Sequence, residues 1–287
     1  LDSVSKEAKD TDDGVAGEET ARYRAQQAFS ILARQRRTWK RLSHIVDMAL
    51  QDGIETENSF TNIVDVGTDH GLLAMGFSLS GRFSKVIGID ISEKAFQNSL
   101  SLLEHVKNHS TEAKHLINPV EFRYGDGLRA LNDGEGQIVC IAGMGANTML
   151  QILSPGSELD RIQCTRLILQ PTNSKPRNLI LLYKKLQQDG WEVANEQIEK
   201  LSGRWYVTIR FKRLEAVTTF VDLASGSKDP ALTLPGTVLS SQYNTFHPMR
   251  QAFDDYCQHH NKWILFDAEY APLDALELQW LKIFGNQ

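Results

Sequence analysis

Apolar residues first recur at helical spacing. Phe29, Leu32 and Trp39, then Leu42, Ile45, Met48 and Ala49, fall on one face of a 3.6-residue period, and Gly53 follows, so the pattern predicts a helix over 20–51. Beyond it the rhythm changes. Short apolar runs at 62–66, 85–90, 120–124, 137–142 and 166–170 alternate with helical stretches at 72–79, 93–109, 147–153 and 176–188. Pro171 stops the fifth run. Two further strands, 192–200 and 205–212, meet at Ser202-Gly203 with no helix between them. Strands alternating with helices predict an α/β fold, a doubly wound and mostly parallel sheet whose last strand is reversed.

The ends of the chain read differently. Residues 1–19 have no period and few large apolar groups, which predicts a disordered acidic tail. Residues 214–248 are small, polar and turn-rich, with Pro230, Pro235 and Pro248, and 249–284 regain helical spacing. The expected organisation is therefore the tail, a main domain with its N-terminal helix over 20–213, and a mostly helical region over 214–287. A length of 287 residues suits one large domain with an appendage.

Charge is uneven. The net charge of −5 is carried by the tail, where seven acidic residues face Lys6 and Lys9. After it come Arg22, Arg24, Arg34, Arg36, Arg37, Lys40 and Arg41, with no acidic residue between Thr20 and Val46. That stripe is either a solvated helix face or a grip for phosphate, with Arg34, Arg36 and Arg37 as candidate substrate contacts. Cys140, Cys164 and Cys257 lie far apart, which suggests neither a disulfide framework nor a cysteine-rich metal site and fits a reducing, cytoplasmic setting. No N-terminal signal peptide is visible, and no apolar run nears the roughly 18 residues of a membrane span. A first residue other than Met leaves room for a removed organellar targeting segment. The His259-His260 pair lacks partners at ligand spacing, so no metal is expected.

The first strand ends in Asp65-Val66-Gly67-Thr68-Asp69-His70-Gly71. Ligands of open α/β sheets bind beyond the carboxyl ends of strands, and Gly67 lets the backbone approach one. A dinucleotide fingerprint would place glycine where Asp69 stands. Carboxylates repel a pyrophosphate but suit a ligand bearing an ammonium and a sulfonium, which favours S-adenosylmethionine over NAD. Asp90, closing the second strand with Ile91 after it, is placed to accept ribose hydroxyls. Asp126, between Gly125 and Gly127 after the third, is placed to accept from an adenine amine. The fourth strand ends in Ala142-Gly143-Met144-Gly145, whose glycines permit close approach. Asn147 beyond them is either a helix N-cap or an amide that orients an acceptor amine. His70 is either a base or a structural hydrogen-bonding histidine.

These motifs, with Leu167-Ile168-Leu169-Gln170-Pro171, Gly190-Trp191 and Gly203-Arg204-Trp205-Tyr206, resemble the bacterial tRNA (adenine-22-N1)-methyltransferase family from about Arg41 to Arg213. Ala146 departs from the family's usual glycine, and Ile91-Ser92-Glu93-Lys94 departs from its usual Gly-Pro pair. The resemblance implies a Rossmann-like seven-stranded methyltransferase sheet, S-adenosylmethionine as cofactor and tRNA as partner, with neither membrane nor metal. Adenine N1 carries its own lone pair, so Asp69 and Asn147 would act as a polar wall for the arriving charge rather than as strong bases. A methyltransferase for another RNA, a protein or a small molecule, and a non-catalytic RNA-binding module, remain as alternative readings.

Overall fold

The computed structural model describes residues 36–51, 61–109, 120–154, 156–214, 232–267 and 272–285. The predicted acidic tail and the first half of the predicted N-terminal helix, with Arg34, lie outside these residues. The second half is helix α1 (Arg36–Leu50), which buries Leu42, Ile45, Val46, Met48 and Ala49. Arg36 and Arg37 open it.

The chain continues through β1 (Asn62–Val66), α2 (Leu72–Ser80), β2 (Lys85–Asp90), α3 (Glu93–His109), β3 (Val120–Tyr124) and a 3-10 turn (Gly127–Ala130). Then come β4 (Ile138–Met144), α4 (Ala146–Leu153), α5 (Gly156–Arg161), β5 (Arg166–Pro171), α6 (Pro176–Gln188), β6 (Trp191–Leu201) and β7 (Arg204–Arg213). α7 (Thr237–Gln242), α8 (Pro248–Asp267) and α9 (Ala275–Phe284) follow. The seven strands run in the order β3-β2-β1-β4-β5-β7-β6. The expected doubly wound Rossmann-like sheet is thus present, and its reversed last strand is β7, antiparallel to both β5 and β6.

Two compact units make up the chain, one holding residues up to Cys140 together with Glu158–Gln163, the other holding Ile141–Ser157 and Cys164 onward. In the first unit β1, β2 and β3 are parallel, with Val66 opposite Ile89 and Asp90 opposite Tyr124. α2 is buried on every side, as its largely apolar sequence requires. Gly71 and Gly81 bracket it in left-handed conformations. Gly71 is also needed for space: a Cβ there would lie 2.8 Å from the Phe122 ring.

In the second unit Ser202 (φ 49) and Gly203 (φ 81) form the two-residue turn joining β6 and β7. The helices of the C-terminal region pack onto β6 and α6. Arg177 on α6 donates to Glu277 on α9 at 2.5 Å, and Glu277 completes a capping box with Asp274. α7 forms where the composition predicts only turns. Its N-terminal amides find a distant partner: Glu196 of β6 accepts from Gly236 N–H at 2.7 Å and Leu239 N–H at 2.9 Å. Tyr183 completes the group by donating its hydroxyl to the same carboxylate. Glu196 is buried, and burial pushes its pKa up against these bonds.

Candidate active site

The turn after β1 is held from several directions. Gly67 and Thr68 both donate their N–H to the Ile89 carbonyl, at 2.8 and 3.0 Å, so the turn closes over the end of β2. Gly67 has φ 77 and Asp69 φ 50, a conformation that costs a side-chain-bearing residue free energy and persists only where neighbours enforce it. Here they do. The Asp69 N–H donates to Asp90 Oδ2 at 3.0 Å, and the Asp69 carbonyl accepts from Ser99 Oγ at 3.0 Å. Its carboxylate meets His70 Nδ1 at 2.8 Å, and both side chains are exposed.

The three strand-end acids have different environments. Asp65 is 2% exposed and accepts from Thr68 Oγ1 at 2.7 Å. Burial lifts its pKa to about 6, against the hydrogen bonds from Thr68 and the Ala74 backbone and the field of Arg41, with Asp90 adding a small upward push. Asp90 is half-buried and bridges two turns, taking the Asp69 N–H on one oxygen and the Ser92 N–H on the other at 2.8 Å. Each oxygen keeps a further lone pair for a ligand hydroxyl. Asp126 is exposed and paired with Arg129 at 3.2 Å. Gly125 N–H donates to the Asp90 carbonyl at 2.9 Å, so the ends of β2 and β3 are tied together, and Gly127 takes φ 53.

Two large apolar side chains stand open at this edge. Ile91 is 67% exposed and Tyr124 60% exposed, directly after and beside Asp90 in the parallel register. An aromatic ring placed there would be walled by apolar surface, with carboxylates in reach of its polar edge. Asp65, Gly67, Asp69, His70, Asp90, Ile91, Gly125, Asp126 and Gly127 thus belong to one continuous set of turns in the first unit. Supporting groups that the pattern did not single out are Thr68, Ser92, Ser99 and Tyr124. Arg161 joins them: from α5 it donates to the Leu128 and Leu131 carbonyls at 3.1 and 2.7 Å and braces the loop after Asp126. Its distance along the chain from that loop hides the link.

Ala142, Gly143, Met144 and Asn147 lie in the second unit. β4 extends two residues beyond its predicted end, through Gly143 (φ 78) to Met144, whose carbonyl accepts from Thr172 N–H at 2.9 Å. That bond to the segment after β5 keeps the strand going. Asn147 is not the N-cap: Gly145 takes that place with no side-chain bond, α4 starts at Ala146, and Asn147 is exposed in the first turn. Its amide therefore has no capping task among the described contacts.

Among the described residues no group of three or more His, Cys, Asp or Glu is arranged to hold a metal ion. His260 is buried, and burial lowers its pKa to about 4, with His259 and Lys175 adding to the shift. No described helix is long and apolar enough to cross a membrane.

Comparison with known proteins places this geometry in context. The family described as methyltransferase domain matches residues 39–209. The tRNA (adenine(22)-N(1))-methyltransferase of Bacillus subtilis is 28% identical over 145 residues, 50% of this chain and 55% of that protein. The chain thus spans about half the length of that relative. The structure of Sp1610 from Streptococcus pneumoniae with S-adenosyl-L-methionine aligns with a TM-score of 0.58 at 23% identity, covering 80% of this chain and 91% of that one. The B. subtilis tRNA methyltransferase TrmK aligns with a TM-score of 0.55 at 21% identity, covering 86% and 94%. At these identities the structural likeness is one of fold.

Proposed function

Because this chain belongs to the methyltransferase domain family, we propose that it transfers the methyl group of S-adenosylmethionine to N1 of an adenine in tRNA. The observation that carries the cofactor is the line of Asp65, Asp90 and Asp126 at the carboxyl ends of three neighbouring parallel strands, together with Asp69 where a phosphate-binding glycine would stand. Asp65 is assigned to the ammonium side, Asp90 to the ribose hydroxyls and Asp126 to the adenine amine, with Ile91 against the ring. Gly67, His70, Gly125 and Gly127 shape these turns. Ala142, Gly143 and Met144 are assigned to the same cofactor. The relative that supports tRNA and the N1 position is the B. subtilis enzyme, whose name states both.

S-adenosylmethionine supplies an electrophilic methyl when bound. The residues of this chain orient and stabilise. The backbone of Asp69 is fixed by Asp90 and Ser99, which sets its exposed carboxylate at this turn to face the cation that forms on a methylated adenine. Asn147, exposed and not engaged as a cap, is assigned a hydrogen bond to the acceptor. The adenine must be unpaired or extruded for N1 to be reached. Arg34, Arg36 and Arg37 are assigned to RNA phosphates, which hold the acceptor without reading its sequence. A tRNA acceptor and the buried cysteines Cys140, Cys164 and Cys257, none of them in a disulfide, fit a reducing, cytoplasmic setting.

With labelled S-adenosylmethionine and unmodified tRNA, mass spectrometry of digested product is expected to find 1-methyladenosine. Label appearing only in protein, or only at another base, would replace the acceptor assignment. Asp90→Ala is expected to weaken cofactor binding in calorimetry by roughly tenfold or more, because charge-assisted hydrogen bonds contribute about 1.5–3 kcal/mol. Unchanged affinity would remove Asp90 from the site.

A further inference from the structure

The most exposed large apolar side chain among the described residues is Phe246, at 86%, in the turn between α7 and α8. A single exposed apolar residue needs no explanation. Phe246 is not single. In the same turn the Tyr243 and His247 rings are stacked, with centroids 4.1 Å and planes 18° apart.

The turn holds these rings in place through its own hydrogen bonds. Asn244 Oδ1 accepts from Phe246 N–H at 3.0 Å, and the Asn244 carbonyl accepts from His247 N–H at 3.0 Å. His247 Nδ1 accepts from Met249 N–H at 3.1 Å, which places the proton of the neutral ring on Nε2. Gln251 Nε2 donates to the Phe246 carbonyl at 3.4 Å. With its backbone engaged in this way, the turn keeps the Phe246 ring in water.

The surroundings indicate what would cover it. Asn244, Thr245 and His247 are exposed and polar, so Phe246 does not belong to a contiguous aliphatic patch of the kind that marks an apolar protein contact. No acidic residue occurs between Asp229 and Asp254, in a chain of net charge −5. Flat rings without carboxylates suit an unpaired nucleobase, because every base has a stacking face and a phosphate backbone is repelled by acids.

We propose that Tyr243, Phe246 and His247 form a stacking platform for an unpaired base of the RNA acceptor, outside the residues assigned to methyl transfer. The proposal rests on tRNA being that acceptor. The test is fluorescence anisotropy of labelled tRNA with the full chain and its Phe246→Ala, Phe246→Leu and Phe246→Trp variants. Phe246→Ala is expected to weaken binding by roughly tenfold, within the range of one lost base–aromatic stack. Phe246→Leu should be equally weak, since it keeps apolar bulk but loses the flat face, and Phe246→Trp should bind as the parent does. The slope of log affinity against log salt should stay the same, because no phosphate contact is removed. Cofactor affinity and melting temperature should also be unchanged. Parent-like binding by Phe246→Ala would overturn the platform while leaving the acceptor assignment intact. Parent-like binding by Phe246→Leu would mean an apolar contact and would also overturn it. If the parent chain binds no tRNA, the acceptor assignment falls and the platform falls with it.

Discussion

Asp65→Asn is expected to melt at a higher temperature than the parent at pH 8 and yet to bind S-adenosylmethionine more than tenfold more weakly. Asp65 is buried, and its pKa rises from 3.8 to about 6 in the fold. A raised carboxyl pKa means that the folded chain favours the protonated form. The associated stability is fully present below pH 3.8 and is lost as pH rises through about 6. Above pH 6 the cofactor-free protein therefore carries an ionised group that is costly by about 3 kcal/mol, at 1.36 kcal/mol per unit. The asparagine variant avoids that charge but turns an amide N–H toward either Thr68 or the Ala74 backbone, forfeiting one accepted bond. The net gain should be about 1–2 kcal/mol, and should vanish in melts near pH 4. The cofactor ammonium would offset the charge in the parent, so the parent's affinity should fall as pH drops below about 6. A variant that melts lower at pH 8 would mean that Thr68, Ala74 and Arg41 already satisfy the carboxylate.

Glu196→Ala is expected to destabilise the protein by about 4 kcal/mol, because it leaves several donors buried without an acceptor, each at a cost of about 1–3 kcal/mol that is not fully additive. The donors are the Tyr183 hydroxyl and the backbone N–H groups of Gly236, Val238 and Leu239. Glu196→Gln should lose about half as much: an oxygen kept at the Oε1 position still serves Tyr183 and Gly236, while Leu239 at the other position then faces an amide. Urea titrations of the three proteins at pH 7 would give the order parent, glutamine, alanine. Equal midpoints would mean that water replaces the carboxylate and that α7 is not clasped to β6.

The placement of acids at strand ends is a local property, and it was legible. Asp65, Asp90 and Asp126 each lie at or directly after the end of an apolar run, with a glycine within two residues, so strand position and chemistry are read from the same few residues. What those acids experience is not local. The burial of Asp65 depends on α2, and the pairing of Asp69 N–H with Asp90 joins residues 21 apart. Asn147 shows the same limit on a smaller scale. Its position suited a cap, but the strand ran on to Met144 because Thr172 supplied a bond, and Gly145 became the cap instead.

Period and punctuation by themselves determined the order and type of the main elements. β2, α3, β3 and α6 have the predicted bounds, because apolar spacing and a following glycine, proline or acid act within a few residues. Tertiary structure decided the rest. α7 lies in a segment read as turns, and it exists beside a glutamate some forty residues earlier that accepts its first amides. α5 brings Arg161 to carbonyls about thirty residues away. The strand order, with β7 between β5 and β6, likewise depends on which edges meet. A short helix of six residues cannot offset the cost of its own nucleation. Only contacts made across the fold stabilise it, and contacts between distant residues leave no period in the sequence.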